Sequence, residues 1–325
     1  MSSIGQISRV NGDASRLGAV LEVATARALQ VSAPASIAFP VECKPKTPWW
    51  LWWNLLSLDA PTVAAVWAII FAKVAGRVPG IFELGALALA VWLIYVTDRL
   101  LDGWCLRDAS SLQERHRLCM RHRAMLCALG IAALCAGTYI ATMRLNVREN
   151  EAGFAIGALV GAYLLCIHAG GARLARLLPK EFVVGVLFAA GATLPIWSKE
   201  DTLPVELGLL FALFGLLCAL NCTAIECWEN KSLSEYQLRE TNPAVAWAQP
   251  RLSGIAAGIA VVSLVGLARF GIHGGPEFPW VAMFLSSATI FVLHGSRERF
   301  TAEGLRVLAD AALVVPPLLV LLWRA

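Results

Sequence analysis

Apolar segments of about 20 residues recur along this chain, and they constrain its fold more than any other feature. A helix needs roughly 20 apolar residues to cross a bilayer core about 30 Å thick. Nine segments meet or approach that length, with Gly and Pro in the connections between them: residues 50–75, 80–104, 122–143, 152–168, 180–197, 204–229, 252–271, 278–294 and 305–323. The sequence therefore predicts an all-α protein, a polytopic membrane helical bundle of about nine transmembrane helices.

Composition supports the membrane assignment. Hydrophobic residues make up 58% of the chain and charged residues 15%, whereas soluble domains carry about a quarter charged residues. The nine cysteines form no CxxC pair, and most lie in apolar stretches, so we expect no zinc site and no disulfide. Nothing in the sequence indicates nucleic-acid binding.

The distribution of Lys and Arg predicts the orientation. Most of these residues between the spans lie in loops that follow even-numbered spans, and the amino-terminal segment is also basic. Because basic loops stay on the cytoplasmic side, we expect a cytoplasmic amino terminus and an external carboxyl terminus. We expect the membrane to be the inner (plasma) membrane of a bacterium.

The chain is predicted to have two parts. Residues 1–47 form a cytoplasmic tail without a cleavable signal peptide, and residues 48–325 form the transmembrane domain. A helix lying on the membrane and a flexible tail are equally consistent with the tail sequence. The helix interpretation depends on one apolar face, which consists of Leu17, Val20, Leu21, Ala24 and Ala28.

Two predicted spans end in clustered acids. The second span ends in Asp98 and Asp102, four residues apart and so on one helix face, with Arg99 turned about 100° away. The sixth span ends in a second polar group: Glu226, Glu229 and Asn230. Both spans are even-numbered, so both groups should lie on the cytoplasmic side. Ionisable groups in a membrane protein usually face the bundle interior or a pathway.

These groups suit a hard divalent cation. Mg²⁺ takes one or two carboxylates, retains several waters and binds substrate phosphates, so we predict Mg²⁺ held by Asp98, Asp102, Glu226, Glu229 and Asn230. Nearby cations would neutralise a diphosphate: Arg99, Arg115, Arg117, Arg121, Lys180 and Lys231. The alternative stays open that these charges only occupy the headgroup layer and set topology.

Three further polar residues lie near the same side. Asn54 and Asp59 belong to the first span, where Asp59 would either accept a proton from an acceptor substrate or break and restart the helix before Pro61. We favour the helix break. His168 ends the fourth span and would either contact a diphosphate or cap its helix.

Taken together, the residues resemble the UbiA superfamily of intramembrane prenyltransferases. The resemblance lies in DxxxD at the end of the second span, the acidic group ending the sixth, nine spans and a cytoplasmic amino end. The glycine-spaced stretch from Pro179 to Trp197 is similar to the fifth-span region of that family. The chain departs from the family motifs in two places: Ile94 replaces the Asn of NxxxDxxxD, and the second acidic motif is reduced, with Cys222, Thr223 or Ile225 where acids are usual.

The resemblance implies helices around a central cavity, a polyprenyl diphosphate bound through Mg²⁺, and transfer of its prenyl chain to an aromatic or lipid-like acceptor. It implies that Asp98, Asp102, Glu226 and Asp59 are catalytic, and that Asn54 and His168 join the cationic residues at the diphosphate. Aromatic faces favour a carbocation, and the candidates are Trp92, Trp104 and Trp228.

We therefore expect a Mg²⁺-dependent prenyltransferase whose partners are a polyprenyl diphosphate, a hydrophobic acceptor and membrane lipids. Two alternatives remain open: a terpene cyclase acting on a prenyl diphosphate, and a catalytically inactive lipid-binding or assembly protein with the same fold. The sequence does not determine the acceptor, the prenyl chain length or the oligomeric state.

Overall fold

The structure is a computed structural model that describes residues 52–105, 122–169, 179–200, 202–231, 242–271 and 274–323. The predicted amino-terminal tail, residues 1–47, lies outside these ranges, so the expected membrane-surface helix stays a prediction. Within the described ranges, every regular element is helical.

The described ranges contain eleven α-helices. They are α1 (Trp52–Leu55), α2 (Asp59–Val74), α3 (Ile81–Cys105), α4 (Arg123–Arg144), α5 (Val147–Ala169), α6 (Lys180–Trp197), α7 (Val205–Glu229), α8 (Pro243–Ala248), α9 (Leu252–Gly266), α10 (Phe278–Gly295) and α11 (Ala302–Trp323). A π-helical turn, Leu267–Gly271, extends α9. A 3₁₀ turn, Gln249–Arg251, joins α8 to α9.

Eight helical segments of the described chain are long and apolar enough to cross a membrane. They are α3 to α7, the continuous segment Pro243–Gly271, α10 and α11. Their backbone groups are paired inside each helix, as a hydrocarbon environment requires. The predicted all-α, polytopic membrane bundle is therefore confirmed, and the protein is an integral membrane protein.

The first predicted span differs from the others because its helix is interrupted. Ser57 adopts a left-handed conformation, with φ of 59°, between α1 and α2. Helix α2 begins at Asp59 and has 16 residues, so it is about 24 Å long, shorter than a typical hydrocarbon core. The prediction that the helix breaks and restarts at Asp59 is confirmed.

The core of the bundle lies where α2, α6, α7 and α11 meet. Trp67 of α2 is fully buried, with its ring 4.6 Å from that of Phe214 on α7. Its indole N–H donates a 2.9 Å hydrogen bond to the carbonyl of Leu313 on α11. A buried indole needs such an acceptor, so this one side chain joins three helices.

Helices α6 and α7 approach closely because a glycine lies between them. A Cβ atom built at Gly185 would lie 2.7 Å from the backbone nitrogen of Ala219 and from the carbonyl oxygen of Gly215. Small residues allow backbones to pack this closely in membrane bundles. The contact fixes the start of α6 relative to the end of α7, where Lys180 and Glu226 lie.

Helices α4 and α5 expose most of their apolar side chains. Ile131 on α4 is 65% exposed and Leu165 on α5 is 69% exposed. Large exposed apolar surfaces are expected where a helix faces lipid. Together with α3 and α6, these two helices form the walls of a large cavity, which is lined at one end by Asp98.

Candidate functional site

Three potential metal ligands meet at one end of the bundle. Asp98 and Asp102 project from the last turns of α3, and His168 projects from the last turn of α5. One ligand atom from each lies within 4.8 Å of the other two. Nε2 of His168 is 3.2 Å from Oδ1 of Asp102 and 4.0 Å from Oδ1 of Asp98. Among the described residues, this is the group whose spacing fits a shared cation.

The hydrogen bonds of His168 indicate which ring nitrogen carries a proton. Its Nδ1 lies 3.0 Å from the carbonyl oxygen of Leu164. A carbonyl only accepts, so Nδ1 carries the proton and, in a neutral imidazole, Nε2 holds a lone pair. That lone pair would then face the carboxylate of Asp102. A cation between Nε2 and the carboxylates, or a proton on either partner, would satisfy this contact.

Lys180 connects this cluster with the second acidic group. Its Nζ is 3.5 Å from Oε1 of Glu226 and 3.8 Å from Oε1 of Glu181. It also interacts electrostatically with Asp98 and Asp102. Lys180 begins α6, and the close packing of α6 on α7 places it beside Glu226. Lys180 is therefore in contact with Glu226 and within electrostatic range of the carboxylates of α3.

The second acidic group makes ion pairs and hydrogen bonds within the protein. The side-chain amide of Asn230 donates a 2.9 Å hydrogen bond to Glu226. Arg306 of α11 lies 2.9 Å from Glu229, and Lys231 pairs with Glu298. Glu226, Glu229 and Asn230 therefore have partners within the protein. The spacing that fits a shared metal ion is found instead at Asp98, Asp102 and His168. The predicted metal role of Glu226, Glu229 and Asn230 stays a prediction.

An apolar cavity of about 850 Å³ opens beside the carboxylate cluster. It is lined by residues of α3, α4, α5 and α6, and most of them are apolar. Asp98, Tyr95 and Tyr163 line one end, whereas Glu83 and Glu149 line the other. Its volume is in the range of sites that bind small organic ligands. A long hydrocarbon chain fits such walls.

The aromatic lining differs from the prediction. Trp92 donates its indole N–H to the carbonyl of Leu56, and Trp228 donates to Nδ1 of His294. Neither is part of the described cavity wall, whose aromatic residues are Tyr95, Phe154, Tyr163 and Phe188. The side chain of Trp104 is outside the described part of the chain.

Three predicted site residues form a separate buried network. The side-chain amide of Asn54 donates to Oδ2 of Asp59 at 2.7 Å and to Oδ2 of Asp310 at 3.1 Å. Arg99 donates to the carbonyl of Asn54 at 2.8 Å and lies 3.9 Å from Asp59. Asn221 donates to Asp310 at 3.2 Å. The network holds the interrupted first helix against α3, α7 and α11.

This geometry favours a structural role over the predicted ones. Asn54, Asp59 and Arg99 are 5%, 6% and 6% exposed, and the hydrogen bonds described for them are made to neighbouring groups of the protein. Asp310 and Asn221 had no place in the sequence prediction. A single acid within the apolar stretch of the last span was the available signal, because such residues normally have a partner inside the bundle.

Arg115, Arg117 and Arg121, which were predicted to bind the diphosphate, lie outside the described residues. No protein-family model, curated protein or solved structure matches this chain. The functional assignment therefore depends on the residues and distances above.

Proposed function

We propose that this protein is a Mg²⁺-dependent enzyme that cleaves a prenyl diphosphate and transfers the prenyl chain to an aromatic or lipid-like acceptor in the membrane. The observation that carries the proposal is the position of Asp98, which lines an apolar cavity of about 850 Å³ and lies beside Asp102 and His168. A ligand with a diphosphate head and a hydrocarbon chain matches both environments. The resemblance to the UbiA superfamily implies the same chemistry.

Each residue of the cluster would have a distinct role in the reaction. Asp98 and Asp102 would hold Mg²⁺, which suits carboxylate oxygens and phosphates, and bound Mg²⁺ would supply positive charge to the departing diphosphate. Lys180 would contact the diphosphate and further stabilise its negative charge. The C1–O bond of the prenyl diphosphate breaks with its electron pair going to the diphosphate. The acceptor forms a bond to C1 and releases a proton, which the diphosphate takes up.

A second candidate function is non-catalytic binding of a lipid diphosphate. The pairing of Glu226 with Lys180 and of Glu229 with Arg306 favours it. Acids already neutralised by the protein have less capacity for a second metal ion, and such an ion would otherwise assist departure of the diphosphate.

We also infer the orientation. The end of the bundle that carries Asp98, Asp102, His168 and Lys180 would face the cytoplasm of a bacterium, with the amino terminus on that side and the carboxyl terminus outside. The excess of Lys and Arg in the loops at that end supports this placement. A water-soluble diphosphate product would then leave into the cytoplasm.

The test is a diphosphate-release assay on protein purified in detergent. Radiolabelled prenyl diphosphates would be incubated with and without Mg²⁺ and with a panel of aromatic and lipid acceptors. The variants are Asp98→Asn and Asp102→Asn, with Glu303→Gln as control, because Glu303 is an exposed acid at the start of α11. We expect release to require Mg²⁺, Asp98 and Asp102, and to be unchanged in the control.

Other results would assign the other functions. A cyclic hydrocarbon or alcohol formed without any acceptor would identify a terpene cyclase. Mg²⁺-dependent binding without release would identify a non-catalytic protein. Release or binding that is equal in wild type, Asp98→Asn and Asp102→Asn would overturn the assignment of the site.

A further inference from the structure

We propose that the cavity selects a prenyl chain of four isoprene units, because its depth is set by the distance between Asp98 and an ion-paired closure formed by Lys199, Glu83 and Glu149. The inference rests on the proposed function, since it places the diphosphate at Asp98. It adds a chain length and the residues that determine it.

Two helices give the depth independently. On α3, Asp98 and Glu83 line opposite ends of the cavity and are 15 residues apart. On α5, Leu164 and Glu149 line the cavity and are also 15 residues apart. At a rise of about 1.5 Å per residue, each interval is about 22 Å.

Contacts at both ends show that the segment Glu83 to Asp98 of α3 lies beside the segment Glu149 to Leu164 of α5. Asp102 contacts His168, and this pair is 66 positions apart in the chain. At the far end, Glu83 and Glu149 both contact Lys199 and have the same separation. The two helices therefore run side by side in the same direction over the whole depth of the cavity.

An extended isoprenoid matches this depth at four units. Each unit adds four carbon–carbon bonds of about 1.5 Å. Because an extended carbon chain zigzags, each bond advances it by less than its length, and an extended unit is about 5 Å long. Four units are thus about 20 Å long, and five are about 25 Å, which exceeds the interval of about 22 Å. A geranylgeranyl chain would fill the cavity, whereas a shorter chain would leave apolar wall exposed.

Glu83 and Glu149 line the far end of the cavity, and both pair with Lys199. Nζ of Lys199 is 2.5 Å from Oε1 of Glu83 and 2.9 Å from Oε1 of Glu149. Glu149 is only 4% exposed and is held by a capping box, in which it exchanges hydrogen bonds of 2.8 and 2.9 Å with Asn146. A fifth isoprene unit would have to displace these side chains and separate a partly buried ion pair, which is unfavourable.

Two glycines of α5 line the cavity at different depths. Gly157 and Gly153 are 7 and 11 residues from Leu164, which lies level with Asp98, so they lie about 10 and 16 Å below the carboxylate. A Cβ at Gly157 would meet nothing within 4 Å, and one at Gly153 would meet only Leu194 at 4.0 Å. A phenylalanine at either position can therefore enter the cavity without displacing backbone.

The experiment measures dissociation constants for diphosphates of two, three, four and five isoprene units, in detergent with Mg²⁺, by competition with radiolabelled geranylgeranyl diphosphate. We expect the wild type to bind four units about tenfold more tightly than three or five. Gly153→Phe should shift the optimum to three units and Gly157→Phe to two. Leu159→Phe is the matched control, since Leu159 lies on the outward face of α5 and is 59% exposed.

The outcomes separate the inference from the proposed function. If binding requires Mg²⁺ and Asp98 but all lengths bind equally, the chain-length inference is overturned and the proposed function stands. An unchanged order of lengths in both glycine variants would overturn it in the same way. Failure of every prenyl diphosphate to bind the wild type would overturn both.

Discussion

Nζ of Lys180 lies 3.5 Å from Oε1 of Glu226, and this contact joins the start of α6 to the end of α7 at the candidate site. The same ammonium group interacts electrostatically with Asp102 of α3. Lys180 thus contacts one of the two acidic groups that the sequence analysis identified and is within electrostatic range of the other. A diphosphate at the carboxylate cluster would place its oxygens within the range of this ammonium group.

Replacement of Lys180 should therefore weaken substrate binding. We expect Lys180→Gln to raise the dissociation constant of geranylgeranyl diphosphate about 10- to 100-fold, because a hydrogen bond to a charged group contributes about 1.5–3 kcal/mol. Competition binding in detergent measures this. Lys73→Gln, at an exposed lysine near the end of α2, is the control. An unchanged affinity in Lys180→Gln would mean that Lys180 serves only to neutralise Glu226.

His168 should influence which metal the site prefers. Imidazole is a good ligand for first-row transition metals, whereas Mg²⁺ prefers oxygen. We expect His168→Gln to weaken Mn²⁺ binding about tenfold more than Mg²⁺ binding. Electron paramagnetic resonance of Mn²⁺, with Mg²⁺ as competitor, measures both affinities. Equal losses for the two ions would show that His168 only positions Asp102.

The buried network around Asp310 should contribute to stability. Asp310→Leu removes the acceptor of Asn221 and one of the two acceptors of Asn54. Each unsatisfied buried amide costs about 1–3 kcal/mol, so the melting temperature in detergent should fall clearly. Asp310→Asn keeps a carbonyl acceptor, so its melting temperature should fall less. Glu303→Leu changes an exposed position of the same helix and should leave the melting temperature nearly unchanged. A melting temperature of Asp310→Leu equal to that of the wild type would contradict the structural role.

Much of the fold could be predicted because membrane hydrophobicity is a local property of the sequence. The spans from α3 to α11 follow from apolar segments of sufficient length. The convergence of Asp98 and Asp102 on one helix face also follows from spacing alone. The interruption at Ser57 could be predicted in part, because Asp59 and Pro61 indicate a helix start.

The partners of the site residues depend on which helices are neighbours, and spacing does not reveal that. The sequence predicted that Arg99 contacts a diphosphate. In the structure its guanidinium donates a hydrogen bond to the carbonyl of Asn54 on the interrupted first helix. His168 was one of eight predicted diphosphate contacts, and only the packing of α5 beside α3 brings it to Asp102. Pairing of Glu229 with Arg306 likewise joins residues 77 positions apart.

The ion-paired closure of the cavity gives a final prediction, on stability and pH. Lys199 lies beyond the end of α6; burial lowers its pKa, but hydrogen bonds to Glu83 and Glu149 outweigh burial and leave the pKa above its usual value. A lysine whose pKa is higher in the folded than in the unfolded state stabilises the fold fully below the unfolded pKa of about 10.4. This stabilisation is lost as the pH rises through the folded pKa.

We therefore expect Lys199→Met to lower the free energy of unfolding by about 1–3 kcal/mol, because it leaves the buried Glu149 without its counter-ion, although Lys199 itself is partly exposed. The loss should be constant from about pH 7 to pH 9 and should shrink above about pH 10.4, where Lys199 of the wild type loses its proton first in the unfolded chain and, at higher pH, in the folded protein. Urea or thermal unfolding in detergent at several pH values measures this difference. Lys73→Met is the control, and a loss that grows with pH above 10.4 would contradict the ion-pair explanation.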